Sequence, residues 1–255
     1  MSKLPPSTKS FAIDAIPKQC NGYHIRESRR AKHVSIKIST WGDVEVVVPQ
    51  GISIDRLTHI LEQRQDWIQA TKARIQAERQ AIAHETAAMQ PTEIVLRAIG
   101  ETWTVSYDTT QHPQVTIDVD IKQHHLNITG HRDQSALSNK LLGQWVRDYA
   151  RYQLVPWLND VSSSLQLPFN NVSIRRQKTR WASCSSKHNI NLNDRLLFLP
   201  RDLVHYVFVH ELCHTIHLNH SKQFWALVAQ KDPHYPGLDK QLRTAWRYVP
   251  RWLGE

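Results

Sequence analysis

Residues 200–220 read PRDLVHYVFVHELCHTIHLNH, and the fold of the C-terminal third follows from how that string winds. Leu203, Val204, Val207, Phe208 and Leu212 recur at three- and four-residue steps, the spacing of one helical face. Pro200 stands where a helix can begin, since the first helical N–H groups have no partner inside the helix. On such a helix His210 and His214 lie one turn apart on the same side. Their imidazoles can hold one ion at about 2.0–2.1 Å. Glu211, one position on, points sideways around the helix and suits a carboxylate that takes a proton from a water activated by the ion. With fifteen histidines in 255 residues, independent placement predicts about 0.03 matches to H-E-x-x-H.

A catalytic zinc takes three protein ligands and keeps one position open. His220 is the candidate third ligand. The helix is expected to end around Leu218-Asn219, because Asn tolerates left-handed geometry there, and the chain can then turn back over the first two rings. His217 competes, but it continues along the same helix, and three ligands in a row fit a tetrahedral ion poorly. The bland alternative is a buried helix with incidental polar residues, which would leave two imidazoles and a carboxylate seeking other partners.

N-terminal to this string, residues 175–181 read RRQKTRW. Arg175, Arg176, Lys178 and Arg180 are candidate substrate-binding residues for a phosphate or an acidic peptide, set against the plainer role of a charged strand edge. Arg180, Ser183 and Tyr206 are the weaker candidates for stabilising an oxyanion. Cys184 and Cys213 lack the paired spacing of thiolate zinc sites and read as small buried residues. A short strand, NINLN, comes next at 189–193.

The first half alternates. VSIKIS (34–39), a turn at Trp41-Gly42-Asp43 and VEVVVP (44–49) predict a hairpin. Ser53 is a candidate N-cap for a long helix with the stripe Ile54, Leu57, Ile60/Leu61, Trp67/Ile68, Ile75 and Ile82, stopped by Pro91. Strands are expected in 94–100, 102–107, 115–120 and 125–129, then a second helix from Asp133 or Ser135 that Pro156 kinks or divides. No repeat of 20–50 residues is visible. The chain thus reads as α+β: a loose arm over 1–22, a β-rich part with a long helix over 23–130, and over 131–255 a small zincin-like catalytic part whose H-E-x-x-H helix packs on a short sheet.

Composition narrows the class. A hydrophobic share of 40%, with 8 Gly and 12 Pro, excludes collagen-like and disordered chains. Three cysteines are too few for a disulfide framework, no apolar run reaches membrane length, and no signal peptide is visible, so the sequence reads as cytoplasmic without a membrane partner. The net charge of +9 favours anionic partners.

HELCHTIHLNHSKQFW (210–225), with TRWASCSSKHNINLN (179–193) and LLFLPRDLVHYVFVHE (196–211), resembles the YgjP-like metallopeptidase domain, a family related to SprT-like and WLM-type minimal zinc metallopeptidases. The resemblance extends through SRRAKHVSIKI and WGDVEVVVP, and it departs at Ala182, where the family usually carries Gly. It implies Zn²⁺ held by His210, His214 and His220, Glu211 as general base and a peptide substrate. Two other functions are suggested by the basic charge and the 175–180 cluster. One is a nucleoside triphosphate pyrophosphatase acting on a phosphorylated small molecule with Mg²⁺. The other is a nucleic-acid-associated protein, such as a protease recruited to DNA, whose affinity for DNA falls steeply with salt.

Overall fold

In VEVVVP the side chains of Val44, Val46 and Val48 fall on one face of a strand, and in the computed structural model of the chain all three are buried. The structure describes residues 19–20, 22–80, 82, 87–110, 114–130 and 135–254, and they divide into two units, Met1–Ala77 and Glu78–Glu255. In the first, β1 (Gln19–Cys20), β2 (Tyr23–Ser28), β3 (Ser35–Ile38) and β4 (Val44–Pro49) form a sheet of order β1-β2-β4-β3. β2 and β4 are parallel, and the expected hairpin joins β3 to β4, with Gly42 at φ 86 where a Cβ would be strained. Of the expected loose arm, Gln19–Cys20 form β1, and residues 1–18 and 21 lie outside the described residues.

Helix α1 (Ile54–Gln80) starts beyond Ser53, whose hydroxyl accepts from the N–H of Arg56 at 3.4 Å. Leu57, Leu61 and Ile68 cover the sheet, whereas Ile54 and Trp67 from the same stripe are exposed. The described helix ends at Gln80, and residues 82 and 87–90 are not helical, so it does not continue unbroken to Pro91. Beyond Gln80 only Ile82 and Met89 are large and apolar, so further turns would bury little.

The second unit opens with β5 (Glu93–Leu96), β6 (Glu101–Thr109), β7 (Thr116–Asp120) and β8 (His125–Gly130), in the order β5-β6-β8-β7, and then α2 (Ser135–Leu165). This is the first unit's plan again: an antiparallel outer strand, a central parallel pair, an antiparallel hairpin strand, then a long helix. The register also repeats, because His24 faces Glu45 in the first parallel pair and Thr104 faces His125 in the second. Different apolar residues serve the inward positions in the two copies, so the spacing survives without a readable repeat. Pro156 does not divide α2; the carbonyl it leaves without a donor belongs to Tyr152, whose position is open to water at 72% exposure.

Three more strands come next: β9 (Asn171–Arg175), β10 (Ala182–Cys184) and β11 (Asn189–Asn193). β11 pairs in parallel with β9 and antiparallel with β10; of the basic stretch 175–181, only Arg175 lies in a strand, at the end of the outer strand β9. Helices α3 (Arg201–Cys213), α4 (Lys222–Lys231) and α5 (Tyr235–Leu242) complete the unit. The units divide between residues 77 and 78, whereas the sequence reading divides the chain near residue 130. Trp103, Leu126 and Ile128 of β6 and β8 share one core with Leu142 and Val146 of α2 and with Val204 and Phe208 of α3, which ties the second set of strands to the C-terminal helices. None of the helices is long and apolar enough to cross a membrane among the described residues.

A buried charge shapes this unit. Asp194 is fully buried, and its Oδ2 accepts from Arg176 Nε at 2.9 Å and Nη2 at 2.6 Å. The same Nη2 donates to the carbonyl of Gly143 on α2 at 2.6 Å. A Cβ at residue 143 would lie 2.6 Å from Arg176 Nη1. Gly143→Ala is therefore expected to cost about 1–3 kcal/mol, read as a lower urea midpoint, because the crowded group is held by a buried ion pair.

Candidate metal centre

His210 lies in the last turn of α3 and His214 at its C-cap, where the His214 N–H donates to the carbonyl of His210 at 3.3 Å. The helix ends at Cys213, five residues before the expected Leu218. Thr215 donates through both its N–H and its Oγ1 to the carbonyl of Leu212, at 3.0 and 2.7 Å, and Ile216 N–H reaches Cys213 at 3.1 Å. These three-residue closures tighten and finish the helix early. Asn219 has no left-handed backbone; its Oδ1 accepts from Ser221 N–H at 3.2 Å, and Ser221 in turn caps α4. The chain reverses within 214–221 by these local bonds and returns His220 over the helix.

One ligand atom from each of His210, His214 and His220 can be chosen so that all lie within 4.8 Å of one another. The Nε2 atoms of His210 and His220 stand 3.1 Å apart. Two nitrogens bound at about 2.0–2.1 Å in a tetrahedral shell would be about 3.3 Å apart, so the spacing fits one shared ion. His217 is outside this group. Its carbonyl accepts from His214 Nδ1 at 2.9 Å, which places the proton on Nδ1 and leaves Nε2 as the free lone pair. Phe224, fully buried at the start of α4, touches all three rings, stacking on His214 at 4.4 Å and meeting His210 and His220 edge-on at 5.0 and 4.9 Å. Trp225 stacks on His220 at 5.6 Å. These rings hold the imidazoles in place.

The electrostatics suit a cation. Burial, and after it the neighbouring imidazoles of His214 and His220, pull His210 down to about 4 against the field of Asp239. Burial also lowers His214. Both rings are neutral near pH 7, the form that ligates. Glu211 is 7% exposed, and burial pushes it up to about 8 in spite of the Cys184 backbone N–H that bonds it and the field of Arg180. Its Oε2 is buried without a hydrogen-bond partner. An orphaned carboxylate oxygen that shares a pocket with His210, one of three converging imidazoles, is the environment a bound cation and its water would satisfy.

Of the four basic residues proposed for substrate, Arg175, Lys178 and Arg180 are exposed and Arg176 is half-buried. Arg176 is held by Asp194, and Arg175 donates to Asn191 Oδ1 at 3.0 Å. Arg180 is the one whose charge is felt at Glu211. Asn193 bonds the carbonyls of Gln177 and Arg180 at 2.8 and 2.7 Å and so shapes this loop. Ala182 has no positive φ, so the family's Gly is not needed for backbone freedom there. A pocket of about 140 Å³ opens beside His210 and Glu211, lined by Trp181, Ala182, Tyr206, Asp239 and Leu242 among others. Tyr206 donates to Asp239 Oδ1 at 3.2 Å. Tyr206, one of the oxyanion candidates from the sequence, thus lines this pocket, four residues before His210 on one helix face; Asp239 carries no sequence signal, because α5 has no motif.

The family model YgjP-like, metallopeptidase domain, matches residues 32–245. Two solved structures are similar to part of the chain. The metallopeptidase zymogen jannalysin of Methanocaldococcus jannaschii is 22% identical over 34% of this chain and 89% of its own, with a TM-score of 0.30. The metallopeptidase zymogen abylysin of Pyrococcus abyssi is 25% identical over 36% of this chain and 94% of its own, with a TM-score of 0.32. No curated protein matches.

Proposed function

The chain belongs to the YgjP-like metallopeptidase domain family, and from that membership we propose a zinc-dependent peptidase with its ion on His210, His214 and His220 and Glu211 as general base. The observation that carries this reading is the convergence of three imidazoles beside a buried carboxylate with one oxygen unpartnered. When bound, the ion supplies Lewis-acid polarisation and makes water acidic enough to ionise near neutral pH. Glu211 accepts the water proton at its free Oε2 and passes it to the leaving amine nitrogen. β10 is an outer strand whose Cys184 N–H bonds Glu211, so an extended peptide paired on its open edge would pass the base. The apolar wall of Trp181, Ala182 and Leu242 would receive a side chain of that peptide.

The phosphoanhydride alternative rests on the basic cluster, and Arg176 is committed to Asp194, which weakens that support. The deciding experiment is elemental analysis of protein purified without chelator, with casein and a nucleoside triphosphate as parallel substrates. About one zinc per chain and casein cleavage abolished by chelation are expected. Zinc-free protein, or cleavage insensitive to chelation, would overturn the reading; pyrophosphate release with casein untouched would replace it with the nucleotide one.

A further inference from the structure

In the first unit, β3 and α1 enclose a cleft of about 620 Å³. Its charged lining is all of one sign: Lys32 leads into β3 and Arg56 and Arg64 project from α1, with His33 beside Lys32; all four are exposed, and no carboxylate lines the cleft among the described residues. Its floor is apolar, from Val34 and Ile36 on one wall and Ile60 and Trp67 on the other. Trp67 is 48% exposed, although the sequence pattern places it on the stripe that should be buried. Arg56, Ile60, Arg64 and Trp67 succeed each other at three- and four-residue steps, so they stand in a row along one helix face.

The opposite wall is a sheet edge. β3 pairs with β4 on one side and has no partner strand on the other among the described residues. Val34 and Ile36 are alternate residues, so they share the face turned to α1. An open edge beside an apolar floor accepts an extended chain through main-chain bonds, with alternate side chains in the cleft. The three cations Lys32, Arg56 and Arg64 then select the charge of that chain. A nucleic acid strand fits less well: bases stack on aromatic platforms, and apart from the His33 ring the cleft offers Trp67 alone.

We infer that this cleft docks an extended segment of another protein in which acidic and apolar residues alternate, the carboxylates facing Lys32, His33, Arg56 and Arg64. The chain's own first 18 residues are the wrong charge for it, with three lysines against Asp14. The inference is independent of the metal centre.

The test is fluorescence anisotropy of the whole chain with a labelled peptide of alternating Glu and Val. Binding is expected to weaken with salt and to fall at least about tenfold in the Arg56→Glu/Arg64→Glu variant, with Arg56→Gln/Arg64→Gln between it and the parent. Both arginines are exposed, so an unchanged circular dichroism spectrum should show that the variants fold. A peptide of alternating Lys and Val should not bind. No binding by the parent, or equal binding by the parent and the Glu variant, overturns the inference. Tighter binding of an oligothymidine with the same dependence on Arg56 and Arg64 also overturns it and assigns the cleft to single-stranded nucleic acid. Anisotropy taken with chelator present reads binding without hydrolysis, so failure here is distinct from failure of the peptidase reading.

Discussion

Glu211→Gln is expected to keep about one zinc per chain and to slow casein hydrolysis at least about 100-fold. Gln fills the same space and can still accept from the Cys184 N–H, but it cannot take a proton from water. The same substitution should stabilise the metal-free protein, and the sign comes from burial. Burial pushes the folded carboxyl up to about 8, above its ordinary 4.5, so the folded state holds its proton more tightly than the unfolded chain does. Below about pH 4.5 both states are protonated and the group costs nothing. As pH climbs toward 8 the unfolded chain gains by ionising while the folded one does not, and stability falls. Metal-free Gln protein should therefore melt close to the parent at pH 5 and above it at pH 8. Zinc should narrow that gap, since a nearby cation favours the ionised parent carboxylate. Unchanged hydrolysis would remove Glu211 as base; loss of zinc would instead make it a group that positions the ion.

His220→Ala is expected to weaken zinc binding at least about 100-fold, measured by competition with a chromogenic chelator, and to abolish hydrolysis with it. His220 is the exposed member of the triad and lies outside α3, yet its Nε2 stands 3.1 Å from that of His210. Removing it leaves two imidazoles on one helix end, one short of the three protein ligands a catalytic zinc takes. His217→Ala is the sharp comparison. It keeps the backbone carbonyl that receives the His214 Nδ1 proton, so zinc affinity should stay within about threefold of the parent. A larger effect at 217 than at 220 would reverse the assignment of the third ligand.

The H-E-x-x-H spacing was legible because a helix relates residues four apart by local geometry alone, and the strands at 34–49 and 93–130 were legible from two-residue alternation. The end of α3 was missed because it is set by three-residue closures, Thr215 on Leu212 through its N–H and hydroxyl and Ile216 on Cys213, and nothing in the local hydropathy announces them. Arg176 illustrates the same limit. In the string RRQKTRW it is one cation among four, and only its distance to Asp194 separates an ion pair with a buried carboxylate from a surface charge.

Local order in this protein, including the helix that carries His210 and His214 and the hydrophobic alternation of its sheets, is written in residue spacing, since short-range periodicity requires no knowledge of the rest of the chain. The meeting of His220 with that pair, the burial that lifts Glu211, the doubling of the sheet-and-helix plan and the basic cleft beside Trp67 were decided only on folding. Each depends on groups distant in sequence coming within a few ångströms of one another or losing water together, and neither distance nor desolvation has a signature in the order of the residues.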